Sequence, residues 1–223
     1  MKQNNMTIEE NLKHVKATLP ETVELVAVSK YHSVEDIRLC YEAGQRVFGE
    51  SREQELRVKR EALPEDIEWH FIGHLQTNKV KYIAPYISLI HAVDTPQLLR
   101  EIHRQGLRCG RRIRCLLQIH VAAEETKYGF LPEECLEYLD TGEFRELTNA
   151  QICGVMCMAT NTDDEERIRS DFRRAHEFFD TLKRDFFPSS PDFRLRSYGM
   201  SHDYRMAVEE GANIVRIGSA IFE

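Results

Sequence analysis

The amino-acid sequence predicts an α/β protein that forms a single TIM-type (β/α)8 barrel over residues 1–223, with an extra helix before the first strand. Two observations lead to this fold class. Short apolar segments alternate with amphipathic segments, and eight such pairs fit into 223 residues. The turn after the first apolar segment, residues 29–33, lacks the Gly-x-Gly-x-x-Gly pattern of an open doubly wound sheet, which favours the closed barrel over that alternative.

The predicted strands are short runs of apolar and β-branched residues, as expected of parallel strands that are buried on both faces. They occupy residues 23–29, 46–48, 69–72, 88–93, 113–121, 152–158, 195–198 and 214–217. The chain shows no linker, no low-complexity tract and no repeat of fixed period, so we expect one domain.

Helix signals fill the intervals between these strands. Side chains that cap a helix N-terminus are predicted at Thr7, Ser33, Ser51, Thr95, Thr162 and Ser201. Glycine or proline is predicted to end the corresponding helices at Gly44, Gly106, Pro188 and Gly211. Residues 140–150 are expected to form an exposed loop or a short helix.

Composition limits the possible functions. The net charge of −7 gives no reason to expect a nucleic-acid partner, because such proteins carry a basic stripe. The chain lacks a run of about 18 apolar residues, so we expect no membrane span. Residues 1–16 lack the apolar core of a signal peptide, which predicts a cytoplasmic protein. The six cysteines form no Cys-x-x-Cys pair and the nine histidines show no zinc spacing, so we expect free thiols and no metal.

Lys30 ends the first predicted strand, where the apolar run of residues 23–29 meets a primary amine. Barrel proteins build their sites at this end of the strands. An amine withdrawn from water there would be neutral and nucleophilic, as Schiff-base chemistry with an aldehyde requires. A solvated lysine that closes a strand is the alternative, and the rest of the chain decides between the two.

A phosphate site is predicted where the seventh and eighth strands end. Ser201 follows the seventh strand, and Gly218 with Ser219 follows the eighth. Glycine lets the backbone approach an anion, while hydroxyl and free N–H groups donate hydrogen bonds to it. Either turn alone could be an ordinary strand-to-helix connection, but two such turns on adjacent strands favour phosphate.

Arg216 lies within an apolar run, residues 214–217, so its guanidinium needs a buried acceptor. That acceptor is either a neighbouring carboxylate or a heteroatom of a ligand at the barrel mouth. In a closed barrel the eighth strand is next to the first, which brings Lys30 beside the phosphate site. Together these features predict one ligand, a phosphorylated aldehyde held as a Schiff base.

Further side chains could border this pocket. Those that crowd together after the third strand, and could instead cap the next helix, are His74, Gln76, Asn78 and Lys79. His70 is expected to form an ordinary packed hydrogen bond. Met156 and Met158, at the end of the sixth strand, could lie against a planar ring, although core filling is the favoured role of Met158.

These residues stand in motifs that resemble one known family. In chain order the motifs are Ala27-Val-Ser-Lys30, Phe48-Gly-Glu50, Trp69-His-Phe-Ile-Gly73, Leu75-Gln-Thr-Asn-Lys79, Gly154-Val-Met156, Gly199-Met-Ser201 and Val215-Arg-Ile-Gly-Ser219. Over residues 23–223 they resemble the pyridoxal phosphate homeostasis proteins, the YggS/PROSC family. The Ser-Lys, Gly-Met-Ser and Arg-Ile-Gly-Ser elements together make the resemblance specific.

The resemblance implies a barrel like the N-terminal domain of bacterial alanine racemase, with pyridoxal 5′-phosphate held as an internal aldimine on Lys30. It implies that Arg216 lies against the pyridine nitrogen. The groups that it implies around the phosphate are Ser201, Gly218, Ser219 and the nearby Met200 backbone. It also implies little or no turnover and a role in holding and distributing the cofactor, with pyridoxal-phosphate-dependent apoenzymes as partners.

The sequence departs from the family pattern at three positions. Ser51 stands where the family often has asparagine, so it is either a cofactor contact or only a helix cap. Tyr198 replaces a common methionine, and Cys157 replaces a small residue. The predicted pocket consists of Lys30, Ser51, His74, Met156, Met200, Ser201, Arg216, Gly218 and Ser219.

Two features predict a carrier rather than a fast amino-acid enzyme. Racemisation needs a base on each face of the substrate, and alanine racemases take the second base from a C-terminal domain across a dimer. This chain ends at Glu223, so we expect neither that domain nor that dimer, and we predict a monomer. A permanent cation, Arg216, at the pyridine nitrogen also weakens the ring as an electron sink.

Three functions remain open from the sequence. The first is a carrier and regulator of pyridoxal 5′-phosphate. The second is a slow racemase that uses this cofactor, with Tyr128, Tyr204 or His74 as the second base. The third is a cofactor-free Schiff-base aldolase acting on a sugar phosphate. A yellow colour that borohydride removes would exclude the aldolase, and brisk deuterium exchange at the α-carbon of amino acids would favour the racemase.

Overall fold

Parallel strands pair in chain order and close into a barrel. The computed structural model describes residues 6–124 and 128–223. Within those ranges the strands are β1 (Glu24–Val28), β2 (Val47–Glu50), β3 (Glu68–Phe71), β4 (Leu89–Val93), β5 (Ile113–Gln118), β6 (Ala150–Met156), β7 (Leu195–Ser197) and β8 (Ile214–Ile217). Closure comes from β8, which pairs with β1 and places Arg216 opposite Val26. The predicted (β/α)8 barrel is confirmed, and each strand overlaps its predicted segment.

Helices connect the strands and precede the first of them. In the described part of the chain they are α1 (Ile8–Ala17), α2 (Val34–Glu42), α3 (Glu53–Ala62), α4 (Val80–Ile83), α5 (Pro96–Cys109), α6 (Pro132–Asp140), α7 (Glu165–Asp185), α8 (Tyr204–Glu209) and α9 (Ser219–Phe222). The extra helix α1 begins with the predicted capping box. Thr7 Oγ1 accepts a hydrogen bond from the Glu10 N–H at 3.2 Å, and Glu10 Oε2 accepts one from the Thr7 N–H at 2.8 Å.

Three of the predicted N-terminal caps are wrong, namely Ser51, Thr162 and Ser201. Helix α3 begins after Arg52 rather than Ser51, and Arg52 makes no side-chain cap bond. Helix α7 is capped by Asp164, whose side chain accepts hydrogen bonds from two N–H groups of the first turn. Thr162 lies upstream, and its hydroxyl accepts from the Asp164 N–H at 3.2 Å. Neighbouring polar residues compete for a cap, and the path by which the chain enters the helix decides which one reaches it.

The structure corrects the predicted end of α5 and decides between the two forms predicted for residues 140–150. Gly106 does not end α5, which continues to Gly110, a residue with a left-handed φ of 65°. Gly106 is instead a buried residue inside the helix. Residues 140–150 include a 3₁₀ turn, Glu143–Arg145, whose Phe144 is buried. Of the two predicted forms, an exposed loop or a short helix, the segment therefore contains the short helix, which packs on the barrel.

The inside of the barrel combines an apolar cluster with buried polar groups. The apolar cluster contains Val26, Leu89, Ala92, Leu116, Cys153, Met156 and Ile214. The buried polar side chains include His70, His91, Gln118, Ser197 and Arg216. A barrel interior filled by side chains is a packed core rather than a pore, so a ligand site has to lie at its mouth.

All six cysteines are free thiols. Burial raises the pKa of Cys40 and Cys135 to about 12, so both pack as neutral, small side chains. Over residues 6–124 and 128–223, the structure contains no helix with the length and hydropathy that a membrane crossing requires. Over the same ranges, no group of three or more His, Cys, Asp or Glu side chains is arranged to hold a metal ion.

Candidate functional site

A cavity of about 540 Å³ opens at the carboxyl ends of the barrel strands. Its wall includes turns that follow β1, β2, β3, β7 and β8. The predicted site residues on this wall are Lys30, Ser51, His74, Met200, Ser201, Arg216, Gly218 and Ser219. Residues from near the beginning of the chain and from its end therefore meet at one site.

The close approach of β1 and β8 brings these two parts of the chain together. In the register of the two strands, Ala27 lies opposite Ile217. A Cβ atom on Gly218 would lie 3.2 Å from the Val28 carbonyl oxygen and 3.3 Å from the Val28 Cβ atom. A larger residue at position 218 would therefore push the turn after β8 away from the end of β1.

Lys30 lines the cavity at its mouth, where it is exposed to solvent. Strand β1 ends at Val28, two residues earlier, and Lys30 is exposed. The expectation that its amine is withdrawn from water is therefore wrong. The amine nitrogen lies 5.8 Å from the centroid of the Tyr31 ring, which also lines the cavity. A ligand that enters the barrel mouth can reach this amine directly.

A hydrogen bond joins the turns that follow β7 and β8. Ser201 Oγ accepts it from the Gly218 N–H at 3.2 Å. Ser201 does not cap α8 as predicted, because the turn continues to Asp203, whose Oδ1 accepts from the Met200 N–H at 2.6 Å. Ser219 is the first residue of α9 and also lines the cavity. The two serine hydroxyls and the Gly218 backbone thus lie together, as binding of a phosphate requires.

Arg216 is a buried cation that reaches the cavity wall. It is 4% exposed, and it donates from Nη1 to the Ser197 carbonyl at 2.7 Å and from Nη2 to the Cys157 carbonyl at 2.9 Å. Its acceptors in the protein are therefore two carbonyl groups and the Ser197 hydroxyl, not the neighbouring carboxylate considered from the sequence. Burial lowers the pKa of the Arg216 guanidinium, which nevertheless stays protonated at neutral pH.

A chain of buried hydrogen bonds continues behind Arg216. The Ser197 hydroxyl accepts from Arg216 and lies 2.9 Å from His91 Nδ1, and His91 Nε2 lies 3.0 Å from His70 Nδ1. Because a guanidinium can only donate, Ser197 Oγ accepts from Arg216, and its own hydrogen stays able to reach His91 Nδ1. In the tautomer of His91 that accepts this hydrogen at Nδ1, the Nε2–H donates to His70 Nδ1. Burial lowers the pKa of His70 to about 3 and that of His91 well below its usual value, so both rings stay neutral.

Comparison with known proteins agrees with this fold. Residues 4–223 match the family model described as alanine racemase, N-terminal domain. The pyridoxal phosphate homeostasis protein of Aquifex aeolicus is 40% identical over 200 residues, which cover 89% of this chain and 86% of the relative. The Helicobacter pylori protein of the same name is 37% identical over 204 residues, which cover 90% of this chain and 87% of the relative. The chain belongs to the family of pyridoxal phosphate homeostasis proteins.

This member of the pyridoxal phosphate homeostasis family is similar to solved structures of two kinds of protein. PipY of Synechococcus elongatus, solved without PLP, has a TM-score of 0.90 and 33% identity, covering 97% of this chain and 100% of PipY. The PLP-bound form of PipY gives a TM-score of 0.87. Alanine racemase of Clostridium difficile is 15% identical with a TM-score of 0.76, and only 56% of that chain is covered. The racemase therefore shares the barrel fold alone.

On the β2 and β3 side of the cavity, the homeostasis-family protein presents Ser51 and His74. The His74 ring stacks on Tyr128 with centroids 4.2 Å apart, and its Nδ1 lies 3.0 Å from Asp94 Oδ2. Of the other two side chains considered as a second base, Tyr128 lines the cavity, whereas Tyr204 is 7% exposed and is not part of its wall.

The two methionines at the end of β6 differ from the prediction. Met156 is 1% exposed and packs in the barrel interior with Val26 and Ile214, away from the cavity wall. Met158, for which core filling was favoured, lines the cavity. Strand β6 ends at Met156, so the residue two positions further on lies nearer the barrel mouth.

Sequence analysis does not identify several other side chains on the cavity wall. They are Tyr31, His32, Gln118 and His202. Each stands at or just after the end of a strand or next to a predicted site residue, so a search of all polar residues at the carboxyl ends of the strands would have found them. His91 and Ser197 carry no such signal, because only the closed barrel brings β4 and β7 into contact across its interior.

Proposed function

We propose that this protein binds pyridoxal 5′-phosphate through Lys30 and acts in the homeostasis of that cofactor. The observation that carries the proposal is the single cavity at which Lys30, Ser201, Ser219 and Arg216 meet. The names of the relatives and the PLP-bound form of PipY support the same ligand.

The residues of the cavity fit the chemical groups of this cofactor. When bound, pyridoxal 5′-phosphate supplies an aldehyde that condenses with a primary amine. Lys30 offers an exposed amine at the mouth, and Ser201 and Ser219 offer hydroxyl donors for the phosphate. Gly218 leaves room between the turn after β8 and the end of β1 that a Cβ atom would fill, since that atom would lie 3.2 Å from the Val28 carbonyl oxygen.

Arg216 favours holding the cofactor over reactions on amino acids. Its guanidinium can only donate a hydrogen bond, so it pairs with an acceptor such as a pyridine nitrogen. A fixed positive charge beside that nitrogen disfavours its protonation, which amino-acid chemistry needs in order to withdraw electrons into the ring. The chain through Ser197 and His91 keeps the guanidinium in this orientation.

Three finer parts of the proposal concern the setting of the protein. We place it in the cytoplasm, which its free thiols support. Apoenzymes that depend on pyridoxal 5′-phosphate are the proposed recipients, and recovery of activity by an apoenzyme mixed with the loaded protein tests this. The proposed monomer is supported by the net charge of −7, and sedimentation at the single-chain mass of 26.1 kDa tests it.

The decisive experiment on the proposed function replaces the amine. After incubation with pyridoxal 5′-phosphate and dialysis, Lys30→Ala should lose the visible absorbance band that the wild-type protein retains. Condensation of the aldehyde with the amine releases one water, and borohydride reduction adds two hydrogens to the C=N bond. The peptide that contains Lys30 should therefore gain the mass of the cofactor minus one water plus two hydrogens in the wild-type protein. Lys81→Ala, which removes an exposed lysine on α4, is the control and should keep both signals. A Lys30→Ala protein with a normal band would exclude the assignment.

A further inference from the structure

The peptide groups on both sides of Lys30 are held by charged side chains of α3. Lys59 Nζ donates to the Ser29 carbonyl at 2.8 Å, and Glu55 Oε2 accepts from the Tyr31 N–H at 3.2 Å. These two groups belong to the peptide bonds immediately before and immediately after Lys30. One helix therefore restrains the backbone of this lysine from both directions.

A buried ion pair anchors the first of these contacts. Glu50, at the end of β2, is fully buried, and Lys59 is 6% exposed. Their charged groups lie 2.7 Å apart, and the Ser29 hydroxyl donates to the same Glu50 oxygen at 2.6 Å. Apolar residues of similar volume often stabilise a contact as well as a buried ion pair does. A gain in stability is therefore a weak explanation for a charged pair at this position. The hydrogen bonds that Glu50 and Lys59 form with Ser29, in contrast, fix the end of β1.

Glu55 carries the second contact, to a residue with an unusual backbone. Tyr31 has a φ of 68°, and it is the only non-glycine residue with positive φ in residues 6–124 and 128–223. Bulky side chains rarely adopt this region, and such residues occur where the surrounding structure enforces them. Tyr31 stands in a tight turn, closed by the His32 N–H that donates to the Ser29 carbonyl at 3.1 Å. Two side chains of the neighbouring segment hold it there: Glu55 accepts from the Tyr31 N–H, and the guanidinium carbon of Arg52 lies 5.3 Å from the Tyr31 ring centroid.

The contacts of Glu50, Glu55 and Lys59 converge on the backbone around Lys30, and none of the three side chains lines the cavity. We propose that they are positioning residues, which set the backbone of Lys30 so that its amine is presented to the cavity. They act through Ser29 and Tyr31 and do not touch the ligand. This inference rests on the proposed function, because it concerns the amine to which the cofactor is attached.

A purely structural role makes a different prediction. If the network only fastens α3 to the barrel, its loss lowers the free energy of unfolding and leaves the reactivity of each folded molecule unchanged. If the network positions Lys30, its loss slows attachment in molecules that remain folded. The rate of attachment and the urea unfolding midpoint, measured on the same proteins, separate the two roles.

The first test removes the partly exposed member of the network. In the cofactor-free protein, Glu55→Ala should speed hydrogen exchange of the Tyr31 amide, measured by NMR, by about tenfold or more. Attachment of pyridoxal 5′-phosphate, followed by absorbance, should slow by about tenfold, since misplacement of a reacting group by about 1 Å has effects of this size or larger. Glu61→Ala, which removes an exposed carboxylate on the same helix, is the matched control and should change neither rate.

The second test removes both buried charges at once, so that neither is left alone in the barrel. Glu50→Gln combined with Lys59→Met should slow attachment by at least about tenfold. Pyridoxal, which lacks the phosphate, should show the same relative loss, because the defect lies at the amine and not at the two serines. If this double variant does not fold, Glu55→Ala and its control decide the question.

The outcomes distinguish this inference from the proposed function. Folded variants that attach the cofactor at the wild-type rate, whatever their unfolding midpoints, overturn the positioning role and leave the proposed function in place. A wild-type protein that attaches no cofactor, or a Lys30→Ala protein that attaches it normally, overturns the proposed function itself. Slower attachment in folded variants, together with faster Tyr31 exchange in Glu55→Ala, supports the inference.

Discussion

Gly154 shows how one residue sets the distance between two strands. It has a φ of 150° and lies opposite Leu195 in the register of β6 and β7. A Cβ atom at this position would lie 1.9 Å from the Leu195 carbonyl oxygen. Because that oxygen belongs to the backbone, no side-chain rotation can relieve the contact, and β6 or β7 would have to move.

We expect Gly154→Ala to lower the free energy of unfolding by at least about 3 kcal/mol, measured by urea denaturation. Gly110→Ala is the matched control, since Gly110 also has a positive φ, 65°, but a Cβ atom there would meet nothing within 4 Å. Only the backbone penalty applies to the control, and its loss should be about 1 kcal/mol. Equal losses in the two variants would contradict the steric explanation.

Residue type and strand position were enough to predict most of the candidate site. Lys30 and Ser201 needed only the rule that polar groups at the carboxyl ends of barrel strands form the site, and Arg216 needed the rule that a buried guanidinium requires an acceptor. The predictions that were wrong concern how far residues near the end of a strand lie from the barrel mouth. Strand β6 ends at Met156, which leaves Met158 at the mouth, and β1 ends before Lys30, which leaves the amine in water. Such ends are set by pairing with neighbouring strands, which local sequence does not encode.

At the scale of elements, the turns after β7 and β8 act as one unit. Ser201 Oγ accepts from the Gly218 N–H, so the hydroxyl that is available to a phosphate also joins the two turns. Ser219 supplies the second hydroxyl from the start of α9. Neither turn alone provides both donors, which is why a substitution in each is needed to test the unit.

We expect Ser201→Ala combined with Ser219→Ala to weaken retention of pyridoxal 5′-phosphate by roughly 3–6 kcal/mol, if the two charge-assisted hydrogen bonds act independently. Loss of the visible band during dialysis measures the effect. Pyridoxal, which has no phosphate, should bind the double variant and the wild-type protein alike. Ser189→Ala, at an exposed serine, is the control. Unchanged retention in the double variant would exclude the two serines as phosphate donors.

Helix starts were harder to predict than strands because one side chain can serve two purposes. Ser51 and Ser201 have the residue type of an N-terminal cap, but both line the cavity instead. At α7, Thr162 and Asp164 are both capable caps, and the approach of the chain selects Asp164. A sequence shows which residues can accept a backbone hydrogen bond, but tertiary structure decides which of them do.

At the scale of the whole molecule, barrel closure creates contacts that no local pattern contains. The hydrogen-bonded chain from Arg216 through Ser197 and His91 to His70 joins β8, β7, β4 and β3. In the sequence His91 and Arg216 are each the one polar residue of an apolar strand, whereas His70 and Ser197 share their short strands with a charged residue. Only the closed sheet turns them all toward one interior, where two imidazole rings are held without charge.

The two neutral histidines make stability depend on pH, with a definite sign. Their pKa values in the folded barrel lie below the unfolded value of 6.5, because burial lowers that of His70 to about 3 and that of His91 further below its usual value. As pH falls below 6.5, the unfolded chain binds protons that the folded barrel does not. The stabilisation is therefore present above pH 6.5 and is lost on acidification, by about 1.4 kcal/mol per pH unit for each ring.

From pH 7 to pH 5 the two rings should together lower the free energy of unfolding by about 4 kcal/mol, or about 2 kcal/mol each. Burial raises the pKa of Glu50, so proton binding by this carboxylate in the folded barrel opposes the loss of stability on acidification. The test therefore compares the fall in the free energy of unfolding between two proteins rather than its absolute size. Urea unfolding at both pH values should show a fall about 2 kcal/mol smaller in His91→Gln than in the wild-type protein, whatever stability the substitution itself removes. His14→Gln, at an exposed position on α1, should keep the wild-type fall. A fall in His91→Gln as large as that of the wild-type protein would contradict the neutral state of His91 in the folded barrel.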